Sequence, residues 1–456
     1  MVLLARRRLA VTKAGRSFLA VRDIVDRARC FGIEPGPNKL LAYAISGAIV
    51  GLGGAVLALK SGSISAKDPF LLLESLTLVA VVVVGGAGSA AGIITAAILF
   101  KGLPQFYSTI PFTDLRSDRI VPIASALLLV ISIVAAPEGI GGAFRGLGRL
   151  VDRVFGGKRE RPAPQPQPVD VVAAAQQAAV LHDVPRPLSL RMPVPALLEA
   201  VDVTVNYGGV TALDRLDLEV RRGEIVGLIG ANGAGKSTFF NAVSGLAPTT
   251  GSIKYRGVEL VRRSAAIRSG LGVARTFQDL GLVRAESVVE NVLLAQTWLA
   301  QYPAAGGLIG LGTTIPTERK LRKRAELALE LFGLDHLARE RLGDLPYGTM
   351  RIVEIAAAVA AGPDILLLDE ATAGLGPEES HALGDRFLVV REELGLTLVI
   401  VEHHVPLISR VCDYCYCLES GALIAEGKPD SVTADPKVVE SFLGRSSAAT
   451  GGGVPA

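Results

Sequence analysis

The chain has 456 residues, half of them apolar, and its formal net charge is only +3. Such a length holds two or three domains, and so small a charge argues against bulk nucleic-acid binding. Four cysteines give no disulfide framework, and the N-terminus lacks the compact apolar core of a secretory signal.

The first third of the chain is typical of a membrane protein with about four helices. Residues 40–59 are 20 uncharged residues, about the length that crosses a bilayer core. Residues 69–100 predict two short helices joined by the turn "GGAGS" at 85–89, and residues 120–136 are the fourth candidate. Glu74 indicates either a functional site or a contact with lipid headgroups. The alternative is a set of buried helices in a soluble core.

Positive charge flanks these helices on both sides. Arginine and lysine cluster at residues 6–29 and again at 145–161. Both flanks are therefore predicted to be cytoplasmic, which needs an even number of crossings.

A proline-rich linker follows. Residues 158–170 are charged and then proline-alternating, and residues 184–195 are again rich in proline, a composition typical of stiff, extended spacers. The alanine-rich piece between them, 171–181, is predicted to be transiently helical within this tether.

From residue 197 the pattern predicts a soluble α/β domain with a phosphate-binding loop. The short strand "EIVGLIG" runs into "GANGAGKST", which contains G-x-x-x-x-G-K-S in the strand–loop–helix setting that this loop requires. Backbone N–H groups and the helix N-terminus face the phosphates, Lys236 reaches the β/γ-phosphates, and Ser237 can ligate Mg²⁺. The alternative is a chance glycine loop. The predicted phosphate-binding residues are Gly230, Ala231, Asn232, Gly233, Ala234, Gly235, Lys236, Ser237 and Thr238.

A second apolar strand, "DILLLDE" (364–370), ends in two acids. Asp369 is predicted to hold Mg²⁺, and Glu370 is the natural general base for the attacking water. The alternative is an acidic strand end without a catalytic role.

Residues 197–445 resemble the ATP-binding cassette (ABC) ATPase of branched-chain (hydrophobic) amino-acid importers. The matching phrases include "GVARTFQDLGL", "LLLDEATAGLGPEE" and "GALIAEGKPDSV". The resemblance implies ATP and Mg²⁺ as cofactors. It implies that Tyr207 stacks on adenine, that Gln278 acts at the γ-phosphate and metal side and links it to the membrane domain, and that His403 contacts the γ-phosphate.

The N-terminal third resembles the later portion of the permease of the same family. "GRSFLAVRDIVDRARCFGI" is similar to the cytoplasmic loop whose short helix docks on the ATPase, although its E-A-A-x-x-x-G motif is only partly matched. A basic juxtamembrane helix is the alternative. Family permeases carry more upstream helices than this sequence, so the resemblance implies either a shortened permease part or an incorrectly chosen start.

The predicted fold class is multi-domain: an all-α transmembrane segment followed by an α/β phosphate-loop cassette. The resemblance implies a multi-pass inner-membrane protein with a cytoplasmic ATPase. Its implied partners are a second ABC ATPase, further permease subunits, an extracytoplasmic substrate-binding protein and the lipid bilayer, with no nucleic acid. The predicted segments are 1–36 (basic, with the coupling helix), 37–144 (partial permease), 145–195 (linker), 196–445 (cassette) and 446–456 (disordered tail).

Two functions remain open at this point. The first is the ATP-hydrolysing subunit of an importer for branched-chain or other hydrophobic amino acids, with urea and short amides as other substrates. The second is a membrane-tethered ATPase or decayed fusion without transport. An exporter is a poorer match, because exporters resemble a different membrane domain.

The signature stretch "LPYGT" departs from the usual LSGGQ. In a cassette dimer the signature of one subunit caps the ATP of the other, so Pro346 and Gly348 are predicted nucleotide contacts. Pro346 has neither hydroxyl nor N–H to offer, Thr349 replaces a longer amide, and the later loop carries Gly376. The variation therefore lies in the part that is donated to a partner's ATP.

Three cysteines, Cys412, Cys415 and Cys417, stand close together in "VCDYCYCLESG". A zinc or redox site is one interpretation, but the spacing matches no established four-ligand pattern. The favoured interpretation is a group of small buried residues.

Overall fold

The computed structural model describes residues 12–61, 72–86, 89–99, 165–181, 196–302 and 314–441. The chain divides into two compact units. One contains residues 3–45 and 162–456, and the other contains residues 46–161.

Helices and strands are numbered here in chain order over the described residues. The helices are α1 (Lys13–Asp23), α2 (Val25–Ala28), α3 (Pro35–Ser61), α4 (Leu72–Gly85), α5 (Ala90–Ala97), α6 (Val171–Gln177), α7 (Lys236–Ser244), α8 (Ala265–Leu271), α9 (Val288–Ala295), α10 (Thr314–Leu331), α11 (Tyr347–Ala360), α12 (Pro377–Leu394), α13 (Val405–Val411) and α14 (Pro429–Thr433). Short 3₁₀ turns lie at Arg29–Phe31, Ala178–Leu181, Thr297–Leu299, Asp335–Leu337 and Leu342–Asp344. The strands are β1 (Leu198–Tyr207), β2 (Val210–Val220), β3 (Ile225–Ile229), β4 (Thr249–Tyr255), β5 (Val258–Glu259), β6 (Val273–Arg275), β7 (Ile365–Asp369), β8 (Thr397–Val401), β9 (Tyr414–Glu419) and β10 (Ala422–Gly427).

A six-stranded sheet forms the centre of the cassette. Its order is β10-β9-β3-β8-β7-β6, with β9 to β6 parallel and β10 antiparallel at the edge. Strands β3, β7 and β8 are buried at every residue, as expected for apolar runs covered on both faces. The predicted strands that precede the phosphate loop and the Asp-Glu pair are therefore neighbours of β8 in one sheet. Ligands of such sheets bind at the carboxyl ends of the parallel strands.

A second, antiparallel sheet has the order β2-β1-β4-β5. Its β1–β2 hairpin pairs Leu198 with Val220 and Tyr207 with Val210. Alternation of buried and exposed residues along β1 and β2 puts one face of the sheet into the core. The hairpin end brings Tyr207 to the surface.

The N-terminal third contains one described helix that is long and apolar enough to cross a membrane. Pro35–Leu59 has 25 residues with a mean hydropathy of 2.0, and none of its most apolar window is buried. This helix contains the predicted segment 40–59. The second predicted stretch forms α4 and α5, separated at the predicted turn. The fourth candidate, 120–136, lies outside the described residues.

Close packing joins α4 to α5. A Cβ atom at Gly85 would lie 2.6 Å from the Cα of Ile93, so only glycine allows this approach. Ala80, Val84 and Ala96 are buried between the two helices.

Residues 165–181, here called the linker strap, lie against the cassette instead of standing free as a spacer. Its helix α6 starts at Asp170, whose Oδ1 accepts a hydrogen bond from the N–H of Ala173 at 3.1 Å; this is an ordinary N-cap. The helix packs on α10 and α12. The buried apolar residues of the linker strap are Ala174, Ala175, Ala178 and Leu181.

Backbone contacts fix the linker strap at both ends. The N–H of Gln167 donates to the Gly333 carbonyl at 2.9 Å. Gly333 has φ +68°, and a Cβ atom there would lie 2.2 Å from the Gln167 carbonyl oxygen. At the other end, the buried Arg324 guanidinium donates to the carbonyls of Val180 and Leu181, each at 2.6 Å. The strap is therefore part of the cassette fold.

Candidate nucleotide site

The phosphate loop follows β3 and needs glycine for steric reasons. Gly230, Gly233 and Gly235 all have positive φ, at 143°, 82° and 106°, a conformation that glycine adopts without penalty. A Cβ atom at Gly230 would lie 2.2 Å from the Leu418 carbonyl oxygen. The loop therefore requires glycine at this position for packing as well as for backbone conformation.

Lys236 begins helix α7 directly after this loop and is 6% exposed. Its ammonium group donates to the carbonyls of Gly230 at 2.6 Å and Ala231 at 2.9 Å. Burial lowers the pKa of Lys236, and the nearby Glu370 and Asp369 carboxylates oppose this shift. The lysine thus lies between the loop and the two acids.

Asp369 is the last residue of β7 and is almost completely buried. Its backbone N–H donates to the Thr276 hydroxyl at 3.1 Å. Its carboxylate lies 3.4 Å from the guanidinium of Arg275. Burial raises the pKa of Asp369, while the Arg275 charge acts in the opposite direction.

Glu370 follows with an unusual backbone conformation, φ +51°. Its Oε1 lies 3.3 Å from Nε2 of His403, and both side chains are partly exposed. The N–H of Glu370 donates to the Val401 carbonyl at 2.9 Å, which ties the Glu370 backbone to strand β8. The structure thus brings Glu370 and His403 into direct contact, and Lys236 and Asp369 lie beside them.

The other predicted site residues differ in exposure. Tyr207 is 43% exposed at the end of β1. Gln278 is exposed in the loop after β6, and its carbonyl accepts a hydrogen bond from the Tyr347 hydroxyl at 3.1 Å. In the loop and the first turn of α7, Asn232 and Ser237 are exposed, Ala231 and Thr238 are half-buried, and Ala234 is buried.

The signature turn packs against the loop that follows Glu370. Pro346 is the N-cap residue of α11, and no side chain caps the helix. A Cβ atom at Gly348 would lie 2.6 Å from the Gly374 carbonyl oxygen, and one at Gly374 would lie 2.8 Å from the Tyr347 ring. The two glycines therefore allow close contact between the signature turn and the loop after Asp369 and Glu370.

Three buried charged residues near the site are not among the sequence-predicted site residues: Arg275, Arg351 and Glu354. All three are at most 6% exposed. The signal that could have found two of them is the i, i+3 pair of opposite charges in the otherwise apolar "RIVEIAAAVA".

The cysteine group lies in the core. Cys415 and Cys417 are fully buried on strand β9, and Cys412 is half-buried just before it. The Sγ atoms of Cys412 and Cys415 close over Gly227, at 3.2 and 3.3 Å from a Cβ built there. Burial raises the pKa of Cys415 to about 12 and of Cys417 to about 11. Over the described ranges, no cluster of three or more His, Cys, Asp or Glu side chains could hold a metal ion.

Residues 12–34, here called the docked segment, pack on the same compact unit as the cassette. Near its N-terminal end, the buried Arg16 guanidinium makes two hydrogen bonds to Glu318, at 2.7 and 2.9 Å. The backbone N–H of Lys13 donates to the Tyr302 hydroxyl at 2.8 Å, and its ammonium group donates to the Ala300 carbonyl at 2.9 Å. The two parallel hydrogen bonds between Arg16 and Glu318 give this contact a defined geometry.

The C-terminal part of the docked segment contacts the Gln278 loop. Arg27 donates to the Leu280 carbonyl at 2.5 Å and lies over the Phe277 ring at 5.6 Å. Gly32 is left-handed, with φ +72°, and faces Trp298, where a Cβ atom would come within 2.6 Å of the Trp298 Cβ. Cys30 is buried in a small cluster with Phe277. The docked segment thus contacts residues on both sides of Gln278.

Four features lie on or beside the parallel strands of one sheet: a phosphate loop, an Asp-Glu pair, a histidine against that glutamate and a signature helix. Together they define the ATP-binding cassette class of ATPases. The family described as "ABC transporter" matches residues 213–373. The family described as "Branched-chain amino acid transport system / permease component" matches residues 1–136, and "Branched-chain amino acid ATP-binding cassette transporter" matches residues 422–448.

Curated relatives of the chain are ATP-binding proteins of branched-chain amino acid transport. The high-affinity branched-chain amino acid transport ATP-binding protein LivG of Salmonella typhimurium is 34% identical over 249 residues, covering 54% of this chain and 98% of LivG. BraF of Pseudomonas aeruginosa, of the same description, gives the same identity and coverage. A probable LivG of Archaeoglobus fulgidus is 31% identical over 251 residues, covering 54% of this chain and 95% of that protein. A crystal structure of the ADP conformation of MJ1267, an ATP-binding cassette of an ABC transporter, is 28% identical and covers 55% of this chain and all of that one, with a TM-score of 0.49.

The chain belongs to the branched-chain amino acid ABC transporter family, and its permease-like N-terminal part is fused to the ATP-binding subunit. This confirms the resemblance predicted from the sequence. The chain is an ATPase.

Proposed function

We propose that this chain is the energy-supplying subunit of an importer for branched-chain or other hydrophobic amino acids, and that its cassette drives the permease segment of the same chain. The docked segment carries the proposal. It falls within the permease-matched residues 1–136, yet it packs on the cassette beside Gln278. The names of the relatives support the substrate class, with leucine-type amino acids first and urea or short amides as the other candidates.

ATP is proposed to bind between Tyr207 and the phosphate loop, with adenine stacked on the exposed tyrosine ring. Residues 230–238 surround the phosphates with backbone N–H groups. The Lys236 ammonium, which donates to two loop carbonyls, turns to the β/γ-phosphates, because charged phosphate oxygens are stronger acceptors than carbonyls.

Hydrolysis is proposed to use Glu370 as the general base. Its carboxylate takes a proton from the attacking water as the oxygen bonds to the γ-phosphorus and the β–γ bridge breaks. His403, 3.3 Å from the carboxylate, orients it and contacts the γ-phosphate. The Gln278 loop transmits the presence or loss of the γ-phosphate to the docked segment.

Mg²⁺ is the proposed metal, and the available donor set fits it. Asp369 offers a buried carboxylate at the end of β7, and Ser237 and Gln278 offer an exposed hydroxyl and an exposed amide. Mg²⁺ prefers oxygen ligands and is bound through one or two carboxylates plus substrate phosphates. When bound, it neutralises charge on the β- and γ-phosphates.

The proposed location is the inner membrane, with the cassette in the cytoplasm. The docked segment precedes the membrane segment and the linker strap follows it, and both lie in the compact unit of the cassette. Two anchors on one soluble domain require an even number of crossings between them. The positive charge of both flanks gives the same parity.

The proposed partners are a second ABC ATPase, further permease subunits and an extracytoplasmic substrate-binding protein. Pro346 and Gly348 would face the ATP of the second ATPase. Pro346 has no hydrogen-bond donor for the γ-phosphate. The two ATP sites of a heterodimer are therefore unequal, and the site that contains Pro346 binds nucleotide but mostly does not hydrolyse it.

The test is uptake of labelled leucine into proteoliposomes that hold the full chain and its co-purifying subunits, measured beside ATP hydrolysis. Arg16→Ala removes the buried pair with Glu318 and should lower uptake several-fold more than hydrolysis. Arg22→Ala is the matched control, because Arg22 lies on the same helix, is 62% exposed and pairs with its neighbour Asp23.

Docking itself can be followed in the purified chain alone, where no other subunit contributes tryptophan fluorescence. Trp298 is the only tryptophan of the chain, and it lies against Gly32, so its fluorescence reports the docked segment. Steady ATP hydrolysis without leucine uptake in the wild type would favour the membrane-tethered ATPase. Equal loss of uptake and hydrolysis in Arg16→Ala would mean that the docked segment does not couple ATP hydrolysis to uptake.

A further inference from the structure

Two opposite charges are buried in the signature helix. Arg351 is fully buried and Glu354 is 2% exposed, and they form an ion pair at 2.7 Å one turn into α11. Burying two charges is unfavourable unless further hydrogen bonds satisfy them. The contacts of this pair therefore indicate what it holds in place.

Arg351 holds the backbone around the catalytic acids. Its guanidinium donates to the carbonyls of Asp369 and Phe277, and twice to the Glu370 carbonyl, at 3.0 and 3.2 Å. A planar guanidinium offers five donors in a fixed fork, and a lysine cannot reproduce that arrangement.

Glu354 holds the loop of Gln278. Its Oε1 accepts from the N–H of Phe277 at 3.2 Å and from the N–H of Gly281 at 2.8 Å. Its other oxygen accepts from Arg351. The two loop N–H groups lie on either side of Gln278, so one carboxylate fixes the span of that loop.

The peptide that Arg351 holds has an unfavourable conformation. Glu370 has φ +51°, a region that non-glycine residues occupy only when surrounding contacts enforce it. Its N–H is fixed on strand β8 by the Val401 carbonyl, and its carbonyl is fixed by Arg351. The direction of the Glu370 side chain toward His403 depends on both restraints.

We propose that Arg351 and Glu354 are a positioning pair that fixes the Glu370 peptide and the Gln278 loop relative to the signature helix. Displacement of the N-terminal turn of α11, where Pro346 and Gly348 lie, then moves the base and the Gln278 loop of the same chain together. This inference rests on the proposed role of Glu370 as the base.

The test measures ATP affinity and single-turnover hydrolysis by the full chain with its co-purifying subunits. Arg351→Lys keeps the charge but loses the fork, and should lower the hydrolysis rate about 10²-fold, the scale expected for a misplacement of about 1 Å. Affinity for ATP should stay within about threefold. Arg256→Lys is the matched control, because Arg256 also forms a mostly buried ion pair, with Asp364, and lies outside this network.

A second variant guards against simple unfolding. Arg351→Met with Glu354→Leu replaces the pair by apolar side chains of similar volume, a change that buried ion pairs often tolerate. Because the backbone groups that the pair held lose their partners, it should melt below the wild type; assayed at a temperature where its unfolding curve shows it folded, it should bind ATP, yet hydrolyse as slowly as Arg351→Lys. Wild-type hydrolysis in this double variant, or equal slowing by Arg256→Lys, would overturn the positioning role.

Glu370→Gln separates this inference from the function on which it rests. Slow hydrolysis in Glu370→Gln together with wild-type hydrolysis in Arg351→Lys would reject the positioning pair alone. Wild-type hydrolysis in Glu370→Gln would reject Glu370 as the base, and the inference with it.

Discussion

Truncation of one side chain in the linker strap tests whether the strap belongs to the cassette. Leu181 is 1% exposed, and its carbonyl is held by the Arg324 guanidinium. Leu181→Ala leaves this backbone contact in place and removes buried methyl groups. Changes of this kind cost about 2–5 kcal/mol. For a domain of this size each kcal/mol lowers the melting temperature by about 2–4 °C, so a middle value of about 3 kcal/mol predicts a drop of roughly 6–12 °C.

The assay is thermal unfolding of the full chain followed by the fluorescence of Trp298, which lies in the cassette and is the only tryptophan. Val172→Ala is the control, because Val172 lies in the same linker strap, on helix α6, but is 45% exposed, and it should melt within about 1 °C of the wild type. If Leu181→Ala also melts within about 1 °C of the wild type, the linker strap contributes nothing to cassette stability, and the reasoning from its burial is refuted.

The remaining predictions concern the nucleotide site. Lys236→Ala should abolish ATP binding or weaken it severely in equilibrium titrations, because the phosphates lose their main positive contact; unchanged affinity would contradict the assigned loop. Glu370→Gln should bind ATP normally and turn over about 10²–10⁴-fold more slowly, and a wild-type rate in single-turnover hydrolysis would move the base elsewhere. In a complex with a different cassette, Pro346→Ser should restore a hydrogen-bond donor and speed hydrolysis at least about tenfold in the ATP site that contains Pro346. An unchanged rate, together with equal losses when Glu370 and the corresponding glutamate of the other cassette are mutated in turn, would mean that both sites already hydrolyse ATP. Removing Mg²⁺ with a chelator should stop hydrolysis in a way that added Mg²⁺ reverses, and activity that persists would exclude a metal role for Asp369.

Local patterns predicted the cassette well because its chemistry is local. The glycines and Lys236 of the phosphate loop are adjacent in sequence, and their strand–loop–helix setting is visible in the apolar run before them. The same holds for Asp369 and Glu370, and for the turn between α4 and α5.

Long-range packing could not be predicted in this way. The linker strap has the composition of a spacer, but Gln167 finds a carbonyl on Gly333, 166 residues further along the chain, and no local pattern encodes that contact. The contacts of Arg351 with Phe277, Asp369 and Glu370 were equally hidden, because they are made to backbone carbonyls, which every residue supplies. The sequence therefore indicated the strand–loop–helix order of the cassette, whereas the contacts that hold its segments together became visible only in the structure.

The docked segment has a consequence for how the transporter assembles. In a complex of separate subunits, a cassette and its permease contact meet by diffusion, and their occupancy falls on dilution. Here the two are covalently joined through residues 35–164, so their contact is intramolecular and does not depend on the protein concentration. Extraction into detergent at nanomolar protein concentration should thus leave residues 12–34 seated on the cassette. A permease loop of another chain would have to displace this covalently joined segment from the cassette surface, so we expect the cassette to act on its own membrane segment.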